Sequence, residues 1–210
     1  MRKAIVSLGT GPQERLLKLA ATTFRPYAKR HGYDLHLHTE TLDASRPAPW
    51  SKIVALQRLQ DDYDVLLWLD ADLMIVRGAR DIADDLPADR FQGLAEHAMK
   101  DGGSMPNSGV WVLRTGEECR AFLQEVWDQD DLIEHRWWEN AAIVRLLGYE
   151  LDPPRPGPPT AWSERTHTLD TRWNSIRDDP AAGAFIRHYP GYKLRTRTIF
   201  MLRDRLLARP

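Results

Sequence analysis

Apolar positions along this chain alternate between short runs and helically spaced stripes. Lys3 to Leu8 is an apolar run that predicts a buried strand, followed by the loop Gly9-Thr10-Gly11-Pro12. From Glu14 to His31, Leu16, Leu17, Leu19, Ala20, Phe24, Tyr27 and Ala28 recur at helical spacing, and Gly32 suits the C-cap. Pro26 predicts a kink or break in that helix. Tyr33 to His38 alternates and predicts a second strand, so the first elements form a parallel strand–helix–strand unit. Trp50 to Gln60 predicts a second helix with Ser51 as N-cap. Val65-Leu66-Leu67-Trp68-Leu69 predicts a fully buried strand. A short acidic helix over Ala79 to Leu86 and strands over Phe91 to Ala95 and Asn107 to Leu113 come next. Helices are predicted over Glu117 to Trp127 and Glu139 to Leu147, the latter ended by Gly148. The proline-rich stretch 153–159 can continue neither a helix nor a central strand, and predicts an extended linker or lid. Leu169 to Ile176 and Phe185 to His188 follow. The tail from 193 to 210 is basic, with Ile199, Phe200, Leu202, Leu206 and Leu207 able to form an apolar face. It predicts an amphipathic helix docked on the body, or else a patch for an anionic membrane surface or a phosphate-bearing acceptor.

The chemistry concentrates where the Val65–Leu69 run ends, at Asp70-Ala71-Asp72. Residues i and i+2 of a strand project to one side, so both carboxylates can face one ligand. Open α/β sheets bind ligands at the carboxyl ends of their strands. Two adjacent carboxylates raise each other's pKa unless a cation lies between them. Mg²⁺ or Mn²⁺, which prefer oxygen ligands, would suit that place. The plain alternative is a strand that ends in a polar turn.

Composition narrows the classes. At 210 residues the chain suits one domain with a substantial core. A net charge of −1 provides no field for recruiting nucleic acid. A single cysteine, Cys119, excludes an intrachain disulfide and a cysteine-based zinc cluster. The apolar stretch after Met1-Arg2-Lys3 is too short for a signal peptide, and no segment approaches the roughly 20 apolar residues of a membrane span. The expectation is a cytoplasmic protein, peripheral to the membrane at most.

Five segments, in order, resemble metal-dependent glycosyltransferases of the A-type fold. They are Tyr27-Ala28-Lys29-Arg30-His31-Gly32-Tyr33, Trp50-Ser51-Lys52, Trp68-Leu69-Asp70-Ala71-Asp72, Asn107-Ser108-Gly109-Val110 and His188-Tyr189-Pro190-Gly191-Tyr192-Lys193. The closest likeness is to the galactosyl-, mannosyl- and xylosyltransferase family, with part of the pattern shared by glycogenin-like and lipopolysaccharide galactosyltransferases. The resemblance implies one three-layer α/β/α domain with a mostly parallel central sheet. Its donor-binding half would cover about 1–115 and its acceptor half about 116–210. It implies a retaining transfer of sugar from a nucleotide diphosphate, most often UDP, to a hydroxyl acceptor. Asp70, Asp72 and His188 would hold Mn²⁺ or Mg²⁺, with His188 acting through neutral imidazole. The ion would stabilise the diphosphate as leaving group. Ser7, Leu8, Gly9 and Thr10 would cradle base and ribose, with Lys52, Asp70, Ala71, Gly191 and Lys193 completing the donor contacts. Asn107 would face the donor sugar and acceptor.

The chain departs from the family pattern in two places. An Asp-Gln pair is usual at the start of the helix after the donor pocket; here the equivalent is Glu139-Asn140, with the side-chain lengths exchanged. Either oxygen on the donor sugar could stabilise an oxocarbenium-like transition state, and Glu139 is equally an ordinary first-turn helix residue. The membrane anchor and stem of the Golgi relatives are lacking, which points to a soluble enzyme. Trp137, Trp138, Trp162 and Trp173 could stack on sugar rings or build the core. Two other readings remain open. One is a haloacid-dehalogenase-type phosphatase, with Asp70 as nucleophile and Asp72 as general acid. The other is a non-catalytic nucleotide-sugar-binding module.

Overall fold

The computed structural model describes residues 1–98, 103–177 and 180–210. β1 (Lys3–Leu8) is followed by α1 (Glu14–His31) and β2 (Tyr33–His38), which pairs parallel to β1. α1 buries Leu16, Leu17, Ala20, Phe24, Tyr27 and Ala28, and Gly32 ends it in the left-handed conformation. Helix α1 runs unbroken through Pro26, against expectation. Pro26 and Thr22, whose carbonyl loses its helical partner, both lie on the exposed face, where water can serve it, while Phe24 and Tyr27 anchor the helix.

A short 3₁₀ turn precedes α2 (Ser51–Leu59). Ser51 therefore sits inside the helix, and its hydroxyl accepts from the Leu42 amide instead of capping. β3 (Val65–Leu69) pairs parallel to β1. β4 (Leu73–Ile75) begins four residues past Leu69, after the turn that holds Asp70, Ala71 and Asp72. The predicted acidic helix is a single 3₁₀ turn, Ile82–Asp85, capped by Asp81. Asp81 also takes the Lys3 ammonium and the Tyr33 hydroxyl, both at 2.6 Å, which ties the turn to the edge of the sheet.

β5 (Gln92–Ala98) and β6 (Ser104–Arg114) pair antiparallel, and β6 also pairs antiparallel to β3. α3 (Glu117–Trp127) and α4 (Glu139–Leu146) follow. The proline-rich stretch is not a free linker: β7 (Tyr149–Leu151) and β8 (Pro154–Pro156) form a hairpin. Prolines are tolerated in β8 because that strand pairs on one edge only. The remaining elements are α5 (Ala161–Glu164), β9 (Thr166–Leu169), β10 (Ser175–Ile176), β11 (Ile186–His188) and α6 (Leu194–Leu207).

The main sheet has the order β2-β1-β3-β6-β5-β9, and β6 alone runs against the others. One face packs on α1 and on Met201 of α6; the other packs on α2, α3 and α4. The three-layer α/β/α domain with a mostly parallel sheet is thus as expected. A second small sheet, β10-β11-β4, lays β11 antiparallel to β4 and brings His188 opposite Leu73, next to Asp72. Among the described residues no helix is long and apolar enough to cross a membrane. α6 is docked as expected, through Phe200 and Met201, but the rest of the expected apolar face is turned outward. Met201 and Asp204 face the body, with Arg187 and the Tyr189 hydroxyl bonded to Asp204, while Ile199, Leu202, Leu206 and Leu207 are exposed.

Candidate active site

The site lies where β3 ends and β6 departs from β5. The β5–β6 register jumps, so that Leu94 pairs with Trp111 but Ala95 pairs with Asn107. Ser108, Gly109 and Val110 are thereby freed from β5, and the Gly109 carbonyl accepts from the Asp70 amide at 2.8 Å. A bulge of this kind re-aims a strand at a functional place. Here it brings Asn107 and Ser108 beside the aspartates.

Asp70, Asp72 and His188 each offer one ligand atom, all within 4.8 Å of one another. His188 Nε2 is 3.3 Å from Asp72 Oδ1 and 3.8 Å from Asp70 Oδ2. Neighbouring ligands on an octahedral ion with bonds near 2.1 Å stand about 3 Å apart. Two carboxylates and an imidazole so placed could close on one divalent cation. Asn174 decides which imidazole nitrogen is available. Its amide nitrogen donates to the Asn107 carbonyl and Oδ1, leaving its oxygen to accept from His188 Nδ1 at 2.9 Å. Nε2 then faces the aspartates, the side from which a neutral imidazole would ligate an ion. Trp173-Asn174 resembles the family's acceptor side only weakly in sequence; in the fold, Asn174 stands behind the histidine.

Gly109 is required by this arrangement. A Cβ there would lie 2.3 Å from His188 Cε1 and 2.8 Å from Nδ1. Gly109→Ala is expected to displace the ring and weaken Mn²⁺ binding about 10- to 100-fold, read by calorimetric titration with Mn²⁺ alone. An unchanged affinity would mean that His188 is not a ligand.

A second group adjoins the first. Lys52 is buried, and its ammonium lies 2.7 Å from Glu139 Oε1, 2.9 Å from Ser108 Oγ and 3.4 Å from Asp70 Oδ1. Burial works to lower the Lys52 pKa, but Asp70 and Glu139 outweigh it and hold it above the usual lysine value. Burial raises the Glu139 pKa, and Lys52 offsets this only in part. Glu139 Oε2 is buried without a hydrogen-bond partner. A carboxylate oxygen in that state is suited to accept a hydroxyl. Asn140 Oδ1 accepts from the Ser108 amide at 2.8 Å and so fastens α4 to the bulge. The Lys52 ammonium is engaged by Glu139, Ser108 and Asp70.

Other expected contacts are placed as follows. Ser7 and Gly9 are buried, Leu8 and Thr10 are half-buried, and the Ser7 hydroxyl has no partner. Gly9 packs against Ala71: an added Cβ would stand 3.2 Å from the Ala71 Cβ. This joins the loop after β1 to the aspartate segment. Gly191, at φ 77, and Lys193 are exposed at the start of α6. Trp173 is buried with its indole nitrogen on Asp85, and Trp162 stacks edge-on with Phe91 and Phe122, so both belong to the core. Trp137 is half-buried and Trp138 exposed.

Asp72 carries a contact not expected from the sequence. Arg197 Nη1 lies 3.0 Å from Asp72 Oδ2. Burial works to raise the Asp72 pKa, but His188 and then Arg197 outweigh it and keep Asp72 below the usual carboxylate range. Arg197 stands one helical turn beyond Lys193, so helical spacing within the basic tail was the signal that could have found it.

The fold is that of A-type glycosyltransferase structures, and its aspartate–histidine group lies past the carboxyl end of β3, where open α/β sheets bind ligands. A glycosyltransferase involved in glycosylation of the major capsid of PBCV-1 is similar over 97% of this chain and 100% of its own, at 16% identity and a TM-score of 0.74. The glycosyltransferase GlyE of Streptococcus pneumoniae is similar over 98% of this chain and 61% of its own, at 15% identity and 0.58. The galactosyltransferase LgtC, in complex with donor and acceptor sugar analogs, is similar over 95% of each chain, at 10% identity and 0.56. No protein-family profile and no curated protein matches the chain. At these identities the likeness establishes the fold.

Proposed function

We propose that this protein is a divalent-metal-dependent glycosyltransferase that moves a sugar from a nucleotide diphosphate, UDP in the first instance, to a hydroxyl acceptor with retention of configuration. The observation that carries the reading is the Asp70–Asp72–His188 group at the strand ends, adjoined by the Lys52–Glu139 pair. Asp70, Asp72 and His188 hold the ion, which when bound neutralises the diphosphate and stabilises it as leaving group. The loop Ser7 to Thr10 takes base and ribose, and Gly191 and Lys193 approach the phosphates. Glu139, its Oε1 held by Lys52, offers Oε2 to the donor sugar. A fixed carboxylate there stabilises the positive charge that develops at the anomeric carbon as the bond to phosphate breaks. Asn107 and Asn140 set the bulge that borders this space. The likeness to solved glycosyltransferases supports this reading over a phosphatase acting through Asp70 and Asp72.

The test is incubation with a panel of UDP- and GDP-sugars and Mn²⁺, following nucleotide release. One donor is expected to release its nucleotide only with metal, and transfer should retain the anomeric configuration by NMR. Metal-dependent donor binding without release to any acceptor would favour a binding module; an inverted product would overturn retention.

The exposed face of α6 suits an anionic lipid surface. Ile199, Leu202 and Leu206 line one side, with exposed Lys193, Arg195, Arg203 and Arg209 around them. Co-sedimentation with vesicles containing phosphatidylglycerol is expected to fall markedly in Leu202→Glu/Leu206→Glu. Equal sedimentation with neutral vesicles, or no change in the double variant, would overturn the assignment.

A further inference from the structure

Arg197 is held from three directions. Its Nε donates to the Tyr192 carbonyl at 2.7 Å, and its Nη1 reaches both Asp72 Oδ2 at 3.0 Å and Gln13 Oε1 at 3.4 Å. Gln13 closes the turn after the loop Gly9 to Thr10, and Asp72 belongs to the aspartate segment. The guanidinium thus spans the gap between the proposed nucleoside loop and the proposed cation ligands. In a nucleoside diphosphate the two phosphates lie between the nucleoside and the cation, so they would cross this gap. A planar guanidinium can bind two phosphate oxygens at once, which an ammonium cannot. Lys193, by contrast, is exposed.

We infer that Arg197 is a diphosphate-binding residue that also occupies Asp72 until cation and diphosphate arrive together. This inference rests on the donor reading above. A divalent ion entering alone at Asp72 Oδ1 meets a carboxylate whose other oxygen is already paired with the guanidinium, and the two cations oppose one another. A diphosphate entering with the ion draws the guanidinium from Asp72 Oδ2 to its own oxygens, while Nε keeps its hold on the Tyr192 carbonyl. The two ligands therefore assist one another, and Arg197 transmits part of that coupling. The arrangement also keeps a buried carboxylate paired when no ion is bound, which avoids the cost of an isolated buried charge.

The test uses the full chain and Arg197→Ala, with Arg197→Lys as a second variant that keeps the charge and loses the fork. Mn²⁺ alone, UDP with saturating Mn²⁺, and uridine with saturating Mn²⁺ are titrated calorimetrically. In Arg197→Ala, Mn²⁺ alone should bind several-fold tighter, because its competitor is gone. UDP should bind about 10- to 100-fold more weakly, and uridine as in the parent. Arg197→Lys should show the same pattern with smaller changes. Mn²⁺ binding that is unchanged or weaker in both variants would overturn the inference. So would unchanged UDP binding, or a loss for uridine as large as that for UDP. If the parent bound no UDP with any metal, the donor reading would fail, and with it the diphosphate role. The Mn²⁺ titration would still decide separately whether Arg197 competes at Asp72.

Discussion

Asp72→Ala is expected to lose at least about 100-fold in Mn²⁺ affinity, and with it the metal-dependent binding of donor. Asp72 is one of the three proposed ligands, and its Oδ1 faces the His188 nitrogen directly. Turnover should fall about 10²- to 10³-fold, the usual effect of removing one electrostatic stabiliser of a leaving group. The fold should persist, because His188 is still held by Asn174 and by the pairing of β11 with β4. Asp72→Asn, which keeps the shape and removes the charge, should give most of the same loss. Parent-like Mn²⁺ affinity in the alanine variant, measured by titration, would remove Asp72 from the ligand set.

Lys52→Met is expected to carry the largest stability penalty of any single change in the site. Lys52 and Glu139 have side chains 4% and 6% exposed, so deleting the ammonium leaves a buried carboxylate with no counter-charge. Breaking such a pair from one side costs about 3–5 kcal/mol. For a chain of this size that lowers the melting temperature by roughly 10 °C. The deficit should depend on pH in a defined direction. Without Lys52 the native state favours protonated Glu139, so its pKa rises above the unfolded value of about 4.3. Stability is therefore retained below about pH 4 and lost as pH rises through the shifted native pKa. Adding Glu139→Gln removes the buried charge and should restore part of the loss at neutral pH. A double-mutant cycle read by thermal melts measures the coupling. Additive effects would mean that the two side chains do not act as a pair.

The main elements were legible because their signals are local. Glu14 to His31 and Glu117 to Trp127 match their helices residue for residue, since each carries a clear apolar stripe and flanking glycine. The buried runs Lys3 to Leu8 and Val65 to Leu69 likewise delimit their strands. What was misjudged depends on tertiary context. Pro26 marks a break locally, yet the packed residues around it keep α1 continuous. The proline-rich stretch excludes a central strand, but only the partner strand β7 makes a hairpin of it. In the tail, Phe200 packs on the body as expected, but Ile199, Leu202, Leu206 and Leu207 are exposed, because Asp204 is recruited inward by Arg187 and Tyr189. Such a buried carboxylate leaves no periodic trace. The Asp70–Asp72–His188 group was legible because the aspartates follow the buried β3 run and His188 lies in a recognisable segment; the aspartates themselves stand in the polar turn between β3 and β4, not on the strand, so the turn rather than strand alternation brings them together. Asn174 and Arg197 were not, since their importance arises from what they touch, at Asn107, His188 and Asp72.

Calorimetric titration of the purified protein with UDP, with and without Mn²⁺, tests the central claim most directly. A metal-dependent donor site at Asp70, Asp72 and His188 predicts UDP binding that appears with Mn²⁺, is nearly absent in chelator, and is lost in Asp72→Ala. Binding of equal strength without metal, or none of UDP or GDP with either Mn²⁺ or Mg²⁺, would contradict it.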